Sequence, residues 1–169
     1  MSASGIPRWA ALEGLPHPQG ATWIPEERAF NFALYSEQAG GVTLLLYGKD
    51  DLLHPVHTYR FDYLRNKSGR FWHCRLPEAA VKDARYYGYS VAGPPDEPAA
   101  ADLFHPEKIL LDPYAKAIFF PPAFDRQAAA RPGSNAGRAP LGLLPTRAPG
   151  FDWKADRRMR HESDAIIYE

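Results

Sequence analysis

With a single cysteine, Cys74, the chain cannot close a disulfide within itself. Small secreted domains often depend on such bonds, so the count fits a reducing compartment and a cytoplasmic location. Long hydrophobic runs are missing as well. Nothing approaches the ~18 uninterrupted apolar residues that a membrane-crossing helix requires. Met1 to Trp9 has neither the basic nor the apolar region of a secretory signal. Nor is there an excess of charge of one sign, because 20 Lys plus Arg balance 20 Asp plus Glu. Nucleic-acid binders usually carry a basic face and membrane-surface helices a basic stripe, so neither partner is expected.

Helical periodicity is also scarce. Seventeen prolines in 169 residues each fix φ and remove an N–H, which excludes long helices over most of the chain. What the chain does have is 13 glycines, 13% aromatic residues and 45% hydrophobic residues. Aromatics suit strands, and the apolar fraction suffices for a core. An all-β domain with long irregular connections follows.

The alternation of apolar residues locates the strands. Arg28 to Ser36 reads RAFNFALYS and sets Phe30, Phe32 and Leu34 on one face. Val42 to Tyr47 is a continuous apolar run, suited to a central strand covered on both sides. Val56 to Tyr63 alternates again through His57, Tyr59, Phe61 and Tyr63. Arg70 to Leu76 places Trp72, Cys74 and Leu76 together, so Cys74 reads as a small buried hydrophobe. Arg85 to Ala92 is the next strand, and Gly93-Pro94-Pro95 stops it. Turn clusters at regular intervals between these runs predict a sandwich or barrel rather than a parallel α/β sheet.

Beyond Ala99 the pattern changes. Lys108 to Leu111 reads as a short apolar strand, and Asp112-Pro113 interrupts any helix there. Residues 121–150 are broken by repeated Pro and Gly, which predicts a linker laid over a partner surface. Ala165 to Tyr168 reads as a strand with nothing after it to pair with. The expected organisation is an extended arm over 1–15, a sandwich over 16–120, a linker over 121–164 and the start of a second domain over 165–169.

Several segments, in order, resemble the N-terminal region of glycogen debranching enzymes and bacterial isoamylases of glycoside hydrolase family 13. They include Phe30-Asn31-Phe32, Val42-Thr43-Leu44-Leu45-Leu46-Tyr47 and Tyr87-Gly88-Tyr89. Lys108-Ile109-Leu110-Leu111-Asp112-Pro113-Tyr114-Ala115, Phe151-Asp152-Trp153 and Ile166-Ile167-Tyr168-Glu169 complete the set. The resemblance implies an immunoglobulin-like sandwich of the family 48 carbohydrate-binding type, early-set in kind. It implies a following (β/α)8 barrel whose first strand begins at Ile166. Such a chain would be a non-catalytic accessory module packed on the barrel of a debranching α-1,6-glucosidase, since the family's catalytic carboxylates all lie on later barrel strands. The partners implied are that barrel, within the same full-length chain, and α-glucan.

No catalytic, cofactor or metal residues are assigned. His54 and His57 are three apart but have no third ligand at metal-site spacing. The glycines form no phosphate loop, and Ser36, Ser68 and Ser90 lack a nucleophile-elbow context. Glycan-binding members of the resembled type stack sugars on two tryptophans. The comparable stretches here, Gly48 to Leu53 and Gly93 to Leu103, contain no Trp, Tyr or Phe. Candidate glycan or barrel contacts are therefore Trp9, Trp23, Tyr87, Tyr89 and Trp153, with core packing as the competing role for each tyrosine. Two other classes stay open: a self-standing α-glucan-binding module, and an immunoglobulin-like interaction domain unrelated to sugars.

Overall fold

In a computed structural model the period-two runs become strands of two antiparallel sheets. The structure describes residues 13–96 and 103–145. The strands are β1 Gly20–Ile24, β2 Ala29–Tyr35, β3 Gly41–Tyr47, β4 His57–Arg60 and β5 Lys67–Ser68, followed by β6 Phe71–Pro77, β7 Tyr86–Ala92, β8 Ile118–Phe119 and β9 Leu141–Leu143. One sheet has the order β1-β2-β6-β5 and the other β4-β3-β7-β9-β8. Short 3-10 turns lie at Pro25–Glu27, Glu78–Val81 and Arg126–Ala129. The all-β expectation holds, and none of these elements is long and apolar enough to cross a membrane.

Alternation decides what each strand buries. Phe30, Phe32 and Leu34 of β2 face Val42, Leu44 and Leu46 of β3 across the gap between the sheets. Trp72, Cys74 and Leu76 of β6, with Tyr87, Tyr89 and Val91 of β7, complete this core. Each large side chain fully buried there contributes about 1.5–3 kcal/mol. Burial raises the pKa of the Cys74 thiol well above its ordinary value, so the sulfur stays protonated and inert.

The outer face of the four-stranded sheet is covered by the segment entering β1. Asn31, 1% exposed, accepts a hydrogen bond from the Leu15 amide at 2.7 Å and donates to the Leu15 carbonyl at 2.9 Å. His73 Nδ1 lies 2.5 Å from the Glu13 carbonyl. A carbonyl can only accept, so Nδ1 carries the proton. Asn31→Ala is expected to cost about 1–3 kcal/mol by unpairing the Leu15 peptide, read as a lower urea midpoint at unchanged slope.

The outer face of the five-stranded sheet corrects two expectations. Residues 121–145 are not a free linker. They fold back so that β9 pairs with β7 at Tyr86 and Tyr87, and with β8 at Ile118 and Phe119. A second apolar cluster of Tyr47, Tyr86, Ile109, Ala139 and Leu141 lies beneath them. Buried Lys108 ties the segment down, donating to the Ala128 carbonyl at 2.8 Å and to the Arg131 carbonyl. Asn135 accepts from the Ile109 amide at 2.7 Å and donates to its carbonyl at 3.0 Å. Lys108 to Leu111, expected as a strand, instead makes one bridge, between Leu110 and Tyr89. Gly88 permits it, since a Cβ there would lie 2.9 Å from Ile109 Cγ2.

Candidate functional site

One open aromatic site is built outward from a buried carboxylate. Asp112, 1% exposed, accepts the Tyr87 hydroxyl at 3.0 Å on Oδ2 and the Tyr114 amide at 2.8 Å on Oδ1. The Ala115 amide donates to the Asp112 carbonyl at 3.1 Å, closing a turn. Burial raises the Asp112 pKa above the usual carboxylate range, and the Tyr114 amide and Tyr87 hydroxyl offset only part of that. The Tyr87 pKa is raised as well, by burial first and then by the carboxylate it faces.

The turn is also held from the other side. Gly20 has φ +87°, and a Cβ there would lie 2.5 Å from the Tyr114 carbonyl oxygen. Only glycine adopts that φ freely and also lets the backbones approach so closely. Thus the Asp112–Ala115 backbone is fixed while the Tyr114 ring remains 53% exposed.

Opposite Tyr114, the last residue of β2 and the first of β6 are register partners, which places Tyr35 beside Phe71. Their rings meet edge to face at 5.4 Å, and His17 packs on Phe71 at 4.8 Å. Tyr35 is 45% exposed, and its hydroxyl donates to Glu37 at 3.2 Å. Between these groups runs a groove of about 390 Å³ lined by Gln19, Leu34, Tyr35, Phe71, Pro113 and Tyr114. Gln19 Oε1 is buried and has no hydrogen-bond partner among the described residues.

The residues singled out in the sequence fall elsewhere. Tyr87 and Tyr89 are 0% and 1% exposed, so neither ring can meet a sugar at the surface. Their side chains enter the core between the sheets, and Phe32 packs edge-on against Tyr87 at 5.6 Å. Tyr86, on the opposite face, is no more available, because Phe119 stacks on it at 4.3 Å. Trp23 is half-buried against the core, its ring 4.8 Å from Phe30. Trp9 and Trp153 lie outside the described residues.

In the Gly48 to Leu53 stretch, Asp51 Oδ1 accepts the Leu53 amide at 2.8 Å and the His54 amide at 3.0 Å. These bonds and the His54 ring hold the Asp51 carboxyl below the usual range, the His54 amide contributing most. The His57 ring meets the Lys82 carbonyl at 3.0 Å. No group of His, Cys, Asp and Glu suited to a metal ion occurs among the described residues.

Sequence reasoning passed over Tyr35, Phe71 and Tyr114 as a set. The Asp112-Pro113-Tyr114 turn was the available signal, since Asp ahead of Pro marks a turn whose side chain bonds the backbone two residues on.

Comparison with known proteins bears on this geometry. The family described as carbohydrate-binding module 48 (isoamylase N-terminal domain) matches residues 18–115. Isoamylase 1, chloroplastic, of Arabidopsis thaliana is 33% identical over 165 residues, covering 96% of this chain and 20% of its own length. A glycogen debranching enzyme of Erwinia tasmaniensis is 36% identical over 163 residues, 93% of this chain and 23% of its own length. The chain thus spans about a fifth of such relatives. Among solved structures, the Group B Streptococcus pullulanase SAP superimposes with a TM-score of 0.53 at 19% identity, covering 80% of this chain and 15% of that one. The catalytic module of the glycogen-degrading pneumococcal virulence factor SpuA gives a TM-score of 0.51 at 19% identity, covering 79% of this chain and 17% of that one. At such identity the likeness establishes a shared fold.

Proposed function

The chain belongs to the carbohydrate-binding module 48 (isoamylase N-terminal domain) family, and from that premise we propose that it serves as the non-catalytic module of a glycogen-debranching hydrolase. The observation that carries this reading is the coincidence of two spans. The family match over 18–115 covers β1 to β7 of the two-sheet sandwich, and relatives bearing debranching names align with nearly the whole chain over a fifth of their own length.

In this reading the module packs on a (β/α)8 catalytic barrel of the same full-length protein in the cytoplasm. The sandwich domain extends to about residue 145, because β9 is one of its strands. The Phe120–Phe124 ring pair, 57% and 41% exposed, offers the barrel an apolar contact, with Trp9 and Trp153 as further contacts.

The buried carboxylate Asp112 holds a turn and is not posed to cleave a glycoside. Retaining cleavage needs a pair held about 5–5.5 Å apart, one of them free to take a covalent bond. Asp112, the buried carboxylate among the described residues, has both oxygens engaged. Incubated with branched limit dextrin, the chain is expected to release no reducing ends above a heat-treated control. Measurable release would overturn the non-catalytic assignment.

A second role, holding α-glucan directly, is favoured by the open aromatic groove at Tyr35, Phe71 and Tyr114. An aromatic face covers the apolar C–H face of a glucose unit, while nearby polar atoms fix its hydroxyls.

A further inference from the structure

We propose that this groove is an α-glucan subsite in which Tyr114 supplies the principal stacking ring, and Tyr35 and Phe71 the opposite wall. The assignment rests on the glucan-holding role above and gives it a place. That place differs from the Gly48 to Leu53 and Gly93 to Leu103 stretches, which contain no aromatic ring.

Three features support it. At about 390 Å³ the groove falls within the roughly 300–1,000 Å³ usual for small-ligand sites. Its lining contains no Lys, Arg, Asp or Glu, which suits a neutral sugar and gives a phosphate or carboxylate ligand nothing to pair with. Finally, the ring's mounting is rigid. Asp112 and Gly20 fix the Tyr114 backbone before any ligand arrives, so binding does not pay to order it.

A larger groove that also carries an aromatic ring is less suited. It is lined by Glu37, Tyr63, Lys67 and Asp96 among others, and the Lys67 ammonium already sits 4.4 Å over the Tyr63 ring. A sugar there would have to displace a cation from the face it needs.

The test is an NMR titration of the isotope-labelled 169-residue chain with maltoheptaose. Resonances of Gln19, Tyr35, Phe71 and Tyr114 are expected to shift together and saturate. Tyr114→Ala is expected to weaken binding about tenfold or more, and Tyr114→Phe to retain it, since stacking needs the ring and not the hydroxyl. Tyr63→Ala is the control and is expected to bind as wild type does. Thermal melts confirm that each variant is folded, and Tyr35→Ala replaces Tyr114→Ala should the latter not fold. Saturable binding that Tyr114→Ala and Tyr35→Ala leave unchanged, or shifts confined to Tyr63 and Lys67, would remove the subsite and leave glucan holding intact. If wild type shows no shifts at millimolar maltoheptaose, the subsite and the glucan-holding role fall together, whereas the accessory-module assignment depends on the limit-dextrin assay.

Discussion

Asp112→Ala is expected to lower the free energy of unfolding by at least about 1–3 kcal/mol, because the buried Tyr87 hydroxyl and the part-buried Tyr114 amide lose their acceptor, and a buried orphan costs about 1–3 kcal/mol. Asp112→Asn separates the hydrogen bonds from the charge. The amide oxygen can still accept from Tyr114, and the Tyr87 hydroxyl can turn to accept from the amide nitrogen.

The pH dependence distinguishes these contributions. Burial raises the folded carboxyl's pKa above its unfolded value. The stability such a group contributes is complete below the unfolded value of about 4, is lost as pH rises through the raised folded value, and stays lost at neutrality. Wild type should therefore lead Asp112→Asn by most in acid and lose that lead toward neutral pH. Chemical denaturation at a series of pH values measures the difference. A gap that is constant across pH, or that widens as pH rises, contradicts the burial argument. The same carboxylate fixes the turn that presents Tyr114, so Asp112→Ala should also speed amide exchange at Tyr114 and Ala115.

The long strands were legible because each satisfies a local rule. β2, β3, β6 and β7 alternate, or run apolar, for seven residues each, and a period of two survives whatever lies around it. β9 carries no such mark. Leu141–Leu143 is three residues in a Pro- and Gly-rich stretch, and it is a strand only because Tyr86 and Tyr87 offer it an edge. That dependence on long-range pairing is why residues 121–145 read locally as a linker.

The site shows the same division. Tyr87 and Tyr89 were picked out as aromatic, but the alternation that identified their strand also sent both rings inward. Tyr35 and Phe71 are 36 positions apart in sequence and become neighbours only through the β2–β6 register. Nothing local announces that pairing. Tyr114 came closest to being legible, since Asp-Pro-Tyr states its own turn chemistry.

A chain ending at residue 120 is expected not to fold, and a chain ending at residue 145 is expected to keep the full sandwich. The shorter chain uncovers Tyr47, Tyr86 and Ile109, now 1%, 6% and 7% exposed. At about 1.5–3 kcal/mol per large apolar side chain, the loss is roughly 4–9 kcal/mol, comparable with the ~5–15 kcal/mol that holds a typical domain together. The Ile109 peptide would also lose both hydrogen bonds to Asn135, and Lys108 would exchange its carbonyl acceptors for water. Since β8 pairs only with β9, Ile118 and Phe119 would come loose as well, taking the stacking partner from Tyr86. Amide dispersion and a cooperative melt distinguish the two truncations. Should the chain ending at 120 melt like the intact one, residues 121–145 would be a dispensable connector, and the second apolar cluster would contribute nothing to the fold.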